Sequence, residues 1–149
     1  MRDNLGDRMK GYENVNRTYL TKRTPVIIRI DGKSFHTLTR GFRKPFDDIL
    51  STTMQETMKY LCENIQGCVL GYTQSDEITL VLVDYKNIDT SAWFDYNVQK
   101  CVSVSASMAT FAFNNFLKRN VRTLRRNNES DEYYRGVLDR AVEKGAMFD

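Results

Sequence analysis

The stretch "PVIIRIDGKSFH", residues 25–36, decides how this chain is read. Pro25 opens a β-branched run, Val26-Ile27-Ile28-Arg29-Ile30, of the kind that forms a buried strand, and Asp31 falls at its C-terminal end. Gly32, Lys33, Ser34, Phe35 and His36, the only histidine in the chain, come next. Asp31-Gly32 then has two readings. It is a common turn dipeptide, or it is the working end of the strand, where an acid and a backbone without a Cβ meet a ligand.

Upstream, residues 3 to 20 carry Leu5, Met9, Tyr12 and Tyr19 roughly on one face and predict an amphipathic helix ended by "TKRTP". Downstream, a loop runs through Pro45, and Asp47 or Asp48 can cap a helix with Leu50, Met54, Met58, Leu61 and Ile65 at helical spacing. "CVLGYT" and "EITLVLVDY" read as strands joined by a polar turn at Gln74-Ser75-Asp76. A long helix over about 91–120 and a shorter one over about 131–144 precede the closing "AMFD". After the first helix the order is β-α-β-β-α-(α), then the start of another strand. That order predicts a single α+β domain over 1–149 of the ferredoxin-like, split β-α-β-β-α-β type, with helices on one face of the sheet and the other face left for ligand. Its final strand is expected to be truncated, as in a fragment or a truncated gene product.

A chain of 149 residues with 41% hydrophobic composition needs no staples to fold. Cys62, Cys68 and Cys101 are odd in number, lack C-x-x-C spacing and sit in apolar patterns, so reduced core thiols are expected rather than disulfides or a zinc knuckle. With no apolar run of membrane length and no signal-peptide pattern, a cytoplasmic location is expected. The formal charge of +3 is uneven: residues 1–50 hold eleven Lys/Arg against six Asp/Glu, and "LKRNVRTLRR" at 117–126 adds five more cations. A polyanionic partner is consistent with both clusters.

Two acids stand out by topology. Asp31 ends the first strand, and Asp76 lies in the turn of the hairpin whose second strand can pair beside it. Carboxylates brought to one rim repel each other unless a cation lies between them, and hard Mg²⁺ holding substrate phosphates is the usual occupant. Two such ions clamp the attacking and leaving oxygens of a phosphoryl displacement. Gly32 can add a carbonyl ligand, and the amides of Lys33 to His36 can face a triphosphate. Against this stand Asp-Gly as a turn and Ser-Asp-Glu as ordinary hairpin punctuation.

"RIDGKSFH" and "GYTQSDEITL", with "KPFDD" between them and "KCVSVSAS" after, resemble the tRNA-histidine guanylyltransferase family and its guanylyltransferase-like relatives, the 3′-to-5′ nucleotide-adding enzymes. The resemblance runs from about Met9 to the closing "FD". It implies a polymerase-palm fold and addition of GMP to the 5′ end of tRNA, with GTP and ATP as substrates. It implies Asp31 and Asp76 as carboxylate ligands of two Mg²⁺ ions, the Gly32 carbonyl on one of them, and Glu77 in support. Lys33, Ser34, Phe35 and His36 would cradle the triphosphate, Lys100 would neutralise it, Asp47 would contact the guanine, and Ser75 completes the Ser-Asp-Glu motif. In the family's sheet a further strand pairs beside the first. Its absence would leave the strand over 26–30 as an edge, so an unstable or oligomeric product, dimer or tetramer, is expected.

Beside these readings stand blander ones. A lone His36 excludes a histidine-rich metal site, and Lys100 in an apolar helix is by default a snorkelling side chain. Phe46 stands in "KPFDD" where many relatives are polar. A palm-type nucleotidyl cyclase or polymerase fragment would use the same two acids, and an RNA- or nucleotide-binding remnant would keep the fold without the chemistry.

Overall fold

The β-branched run forms strand β1 (Val26–Asp31), with side chains alternating between buried and exposed along it. The hairpin forms as β2 (Cys68–Gln74) and β3 (Glu77–Leu82), and β3 lies between its partners in a sheet of order β1-β3-β2, antiparallel throughout. This computed structural model describes residues 4–127 and 131–149.

Directly opposed pairs share a face of an antiparallel sheet. Val26 with Leu82, Ile28 with Leu80 and Ile30 with Ile78 therefore form one apolar layer, and none of the six is more than 8% exposed. Two helices cover that layer: α3 (Asp48–Asn64) lies over β2 and β3, and α4 (Val98–Arg126) lies over β1. The predicted spacing on α3 holds, with Met54 and Leu61 buried and Leu50 and Met58 packed against the core. α5 (Glu132–Lys144) packs on α4, capped by Asp131, which accepts from Tyr134 N at 2.7 Å. On the opposite face Ile27, Arg29 and Asp31 of β1, with Leu70 and Tyr72 of β2, are exposed. The helices-on-one-face arrangement follows from the alternation alone.

Three boundaries differ from the sequence reading. The first helix, α1 (Asn4–Asn14), ends about two turns early and buries no side chain; residue 3 lies outside the described residues. Tyr19 is not on it. Instead Tyr19 bridges Asn97, and Val98 N donates to Thr18 O at 2.9 Å, so long-range pairing overrides the local helical pattern. The long helix begins at Val98 rather than about 91, because Phe94, Asp95 and Tyr96 adopt positive φ (48°, 57° and 55°) and Asn97 caps the helix by accepting from Lys100 N. It continues to Arg126, so the whole basic segment belongs to it. The third difference is a four-residue helix, α2 (Phe35–Leu38), inside the expected loop.

The start of a further strand is present. Asp31 N donates to Asp149 O at 2.8 Å, Asp149 N to Asp31 O at 3.0 Å, and Lys33 N to Met147 O at 2.9 Å, on the side of β1 away from β3. By the alternation of an antiparallel edge, the amides of Arg29 and Ile27 point the same way as that of Asp31. They meet no strand among the described residues.

All three cysteines are free. Cys62 on α3 faces β2, where Gly71 leaves room for it: a Cβ at Gly71 would lie 2.4 Å from its Sγ. Burial, then the neighbouring Cys68, pushes the Cys62 thiol up from 9.0 to about 11. Its thiolate fraction at pH 8 is thereby cut roughly a hundredfold, and the greater nucleophilicity of a more basic thiolate restores about tenfold of that. Iodoacetamide is expected to modify Cys62 at least about tenfold more slowly than free cysteine at pH 8. Mass spectrometry of quenched samples checks this, and a rate equal to that of free cysteine contradicts it.

Candidate functional site

Asp31-Gly32 is not a turn. Gly32 continues the extended course of β1 into a bridge with Phe148, and its amide donates to Asp76 O at 3.0 Å. That bond ties the end of β1 to the tip of the hairpin. Asp31 is also the register partner of Glu77, so Asp31, Asp76 and Glu77 occupy one rim of the sheet. The hairpin loop has only two residues, Ser75 and Asp76, between the paired Gln74 and Glu77. Ser75 accommodates the tight turn at φ 57° and donates its hydroxyl to Asp76 Oδ1 at 2.9 Å. Glu77 pairs with Arg29 across the strands, and this hydrogen bond and charge hold the Arg29 guanidinium more firmly protonated than usual.

Gly32 is required here for space. It lies outside the left-handed region, but a Cβ on it would sit 2.4 Å from Phe35 Cδ2. The Phe35 ring cannot easily withdraw, since it is 4% exposed and stands edge-on to Phe113 and Phe148, at 5.3 and 5.2 Å between centroids. Between them Ser34 takes a left-handed conformation (φ 56°, ψ 35°) before the helical residues of α2. Alternating hands of this kind turn successive N–H groups to one side and form an anion-binding concavity. The amides of Ser34, Phe35 and His36 meet no acceptor among the described residues. Lys33 departs from its expected role, because its amide is already given to Met147 O. What Lys33 offers the rim is its exposed side chain. His36 is exposed as well.

The donors at the rim are all oxygens: the carboxylates of Asp31 and Asp76 and the Gly32 carbonyl, which meets no donor among the described residues. Hard Mg²⁺ takes such a set and leaves its other positions to phosphate and water. No three His, Cys, Asp or Glu residues cluster into a self-sufficient metal cage among the described residues. Asp31 and Asp76 are thus the carboxylates at the rim that could hold a cation only together with other ligands.

Beside the rim opens a cavity of about 500 Å³, walled by Thr39, Phe42, Leu50 and Met54 and reaching Gln74 and Ser75 at the hairpin tip. Nothing in the spacing of the sequence signals it, because it forms between the loop after α2, the first turns of α3 and the hairpin. Asp47 lies in its wall but is 3% exposed and heavily engaged. It caps α3 by accepting from Leu50 N at 3.1 Å on Oδ1, and accepts on Oδ2 from Arg43 N at 2.9 Å and the Tyr134 hydroxyl at 2.7 Å. A base contact from Asp47 has only the second lone pair of Oδ1 to use. Burial, then the bond to Asp47, pushes the Tyr134 phenol well above its ordinary value. Tyr134→Phe is expected to lower the unfolding free energy by about 1.5 kcal/mol, the worth of a hydrogen bond to a charged acceptor. Urea titration checks it; an unchanged midpoint would mean that Asp47 is held by the backbone donors alone.

The structure does not bring Lys100 to the rim. The start of α4 lies beside Thr18 and follows Ser91, whose carbonyl accepts from Gln66 at 2.8 Å, at the end of the sheet where β3 finishes. The part of α4 tied to Gly32 is at Thr110, whose hydroxyl accepts from N of Phe148, the bridge partner of Gly32, at 3.1 Å. Ten helical residues, about 15 Å of axis, separate the two, beyond the reach of a lysine side chain. Lys100 instead places its ammonium 5.6 Å from the Phe94 ring centroid.

A family model described as tRNAHis guanylyltransferase (Thg1) matches residues 6–149. The chain belongs to the tRNAHis guanylyltransferase family. The tRNA(His) guanylyltransferase of Schizosaccharomyces pombe is 32% identical over 107 residues, which are 70% of this chain and 38% of the relative. Among solved structures, a bacterial tRNA(His) guanylyltransferase (Thg1)-like protein in complex with GTP aligns with a TM-score of 0.73 and 52% identity, covering 78% of this chain and 55% of that one. The ATP complex of a bacterial Thg1-like protein aligns with a TM-score of 0.75 and 43% identity, covering 97% of this chain and 55% of that one. The fold is thus the polymerase palm of these guanylyltransferase-like proteins. This chain spans about two fifths of that curated relative and just over half of those solved chains.

Proposed function

We propose that this chain carries the nucleotidyl-transfer centre of a tRNA 5′-end nucleotidyltransferase, adding GMP in the 3′-to-5′ direction to tRNA-histidine or to a truncated tRNA. The observation that supports it most is the 3.0 Å bond from Gly32 N to Asp76 O, which joins the two acids' strand ends beside a run of free amides and a cavity with room for a nucleobase. Similar proteins solved with GTP and with ATP supply the substrate class.

On this reading the Ser34–His36 amides and the Lys33 ammonium hold the triphosphate, and the cavity beside Ser75 takes the base. Asp31, Asp76 and the Gly32 carbonyl would hold two Mg²⁺ ions. Bound there, the ions would neutralise phosphate charge and align the attacking and leaving oxygens. Glu77, paired with Arg29 across the strands, supports the rim beside Asp31 without adding net charge to it. Phosphoryl transfer asks little covalent help of a protein, so positioning and electrostatics supply most of the rate. An oxygen of the tRNA 5′-phosphate attacks the α-phosphorus of ATP and pyrophosphate leaves; the 3′-hydroxyl oxygen of GTP then attacks the activated 5′-phosphorus, losing its proton to solvent as AMP leaves, and water finally cleaves pyrophosphate from the added nucleotide.

Incubation with labelled GTP, ATP, Mg²⁺ and 5′-monophosphorylated tRNA tests this. Label at the tRNA 5′ end, lost on chelation of Mg²⁺, is the expected result. A cyclic or 3′-extended product would reassign the chain to a palm-type cyclase or polymerase, and binding without turnover would make it a nucleotide-binding remnant. Self-association as a dimer or tetramer belongs to the same proposal, and a strictly monomeric species in sedimentation would count against it. No helix among the described residues is long and apolar enough to cross a membrane, and the cytoplasm is the proposed location.

A further inference from the structure

Helix α4 carries no acidic residue in its 29 positions, whereas six of them are Lys or Arg. Five of the six fall between 118 and 126, where Leu117 and Val121 turn inward and are at most 4% exposed. Lys118, Arg122 and Arg126 follow one another at four-residue intervals on the outward side, about 6 Å apart along the axis. With Asn115, Arg119 and Thr123 they line an open depression of about 410 Å³.

The neighbouring cations are committed elsewhere. Arg119 pairs with Glu56, which also accepts from Asn120 at 2.9 Å, and its guanidinium lies 4.8 Å from the Phe116 ring centroid. Arg125 pairs with Asp139 of α5. Lys118, Arg122 and Arg126 have no acidic partner among the described residues. Like charges four residues apart destabilise a helix. A solvated face would relieve that repulsion with interspersed acids, as surface helices ordinarily do. This stripe has none, which leaves its charge open to a polyanion.

We infer that the Lys118–Arg122–Arg126 stripe is a docking surface for an RNA phosphodiester backbone, separate from the nucleotide site. The choice of RNA among polyanions rests on the function proposed above. Along α4 the stripe begins about 12 Å beyond Thr110, the residue that meets the rim through Phe148. An RNA with its end at the rim thus finds a run of cations close by. Asn115 adds an uncharged donor to phosphate oxygens, and none of the residues that line the depression is aromatic, so the contact is to backbone rather than to bases.

The test compares the wild-type chain with the Lys118→Ala/Arg122→Ala/Arg126→Ala variant, all exposed positions where alanine favours helix. The probes are 5′-monophosphorylated tRNA and a plain RNA duplex, titrated across a salt series, with GTP binding measured in parallel. Loss of three phosphate contacts is expected to weaken both RNAs alike and to flatten the slope of log K against log salt by about 2–3. GTP affinity stays unchanged, and Arg122→Lys alone keeps most of the binding. Equal affinity and slope in the triple variant overturn the inference, as does a wild-type chain that binds neither RNA. A chain that binds both RNAs through the stripe yet transfers no nucleotide upholds it and sinks the enzymatic reading instead.

Discussion

Asp76→Ala is expected to lower nucleotide transfer by about a thousandfold or more while leaving the fold intact. The two halves of that expectation come from different atoms. The link between β1 and the hairpin uses the backbone carbonyl of residue 76, which alanine retains. The side chain is half-buried at the loop tip, and its only described partner is the Ser75 hydroxyl. Its removal should therefore change stability by no more than about 0.5 kcal/mol, as at other surface positions. What disappears is one of two carboxylates on which any shared cation depends. Asp76→Asn sharpens the result: it keeps an oxygen for Ser75 but not the charge, and should be nearly as inactive. Transfer by either variant at wild-type rates, with circular dichroism unchanged, would mean that the rim holds no catalytic cation at this residue.

The same division between backbone and side chain explains what the sequence could disclose. β1, the hairpin and α3 were legible because their apolar periods of two and of 3.6 are set by burial on one face, and Val26, Ile28, Ile30, Met54 and Leu61 do face that core. The meeting of Asp31 and Asp76 was legible in outline, since strand order alone carries the first strand and the hairpin tip to one rim. Less could be foreseen where long-range pairing decides. Tyr19 carries a helical pattern yet is drawn to Asn97, and Lys100 sits one motif away from the rim in sequence but three turns away along α4. Lys33 reads as a phosphate-loop amide, but the chain end takes that donor. Asp47 reads as a ligand or a cap; it is the cap, as the local pattern allows, but the third donor to it, the Tyr134 hydroxyl, comes from α5 more than eighty positions later. No local pattern carries those partners.

Gly32→Ala is expected to be the most damaging single methyl that can be added near the site. Its Cβ would lie 2.4, 2.6 and 2.7 Å from Phe35 Cδ2, Cε2 and Cγ, so the ring or the strand must move. Phe113 and Phe148 block the ring, and the bonds to Asp76 O on one side and from Lys33 N to Met147 O on the other restrain the strand. Overpacking of this kind costs about 1–3 kcal/mol. The shift also carries Ser34 and the free amides with it, and displacement of about 1 Å at a reacting centre is worth about a hundredfold in rate. A double-mutant cycle with Phe35→Ala tells the clash from any other need for glycine. Phe35→Ala alone opens a cavity and destabilises by about 3–5 kcal/mol. If the ring is the obstacle, the double variant is less destabilised than the sum of the singles by about 1–3 kcal/mol, because the new methyl occupies space the ring has vacated. Strict additivity would instead show that residue 32 must lack a side chain for its own sake, through the backbone's approach to a ligand, and then Gly32→Ala should lose GTP affinity even where its stability is preserved.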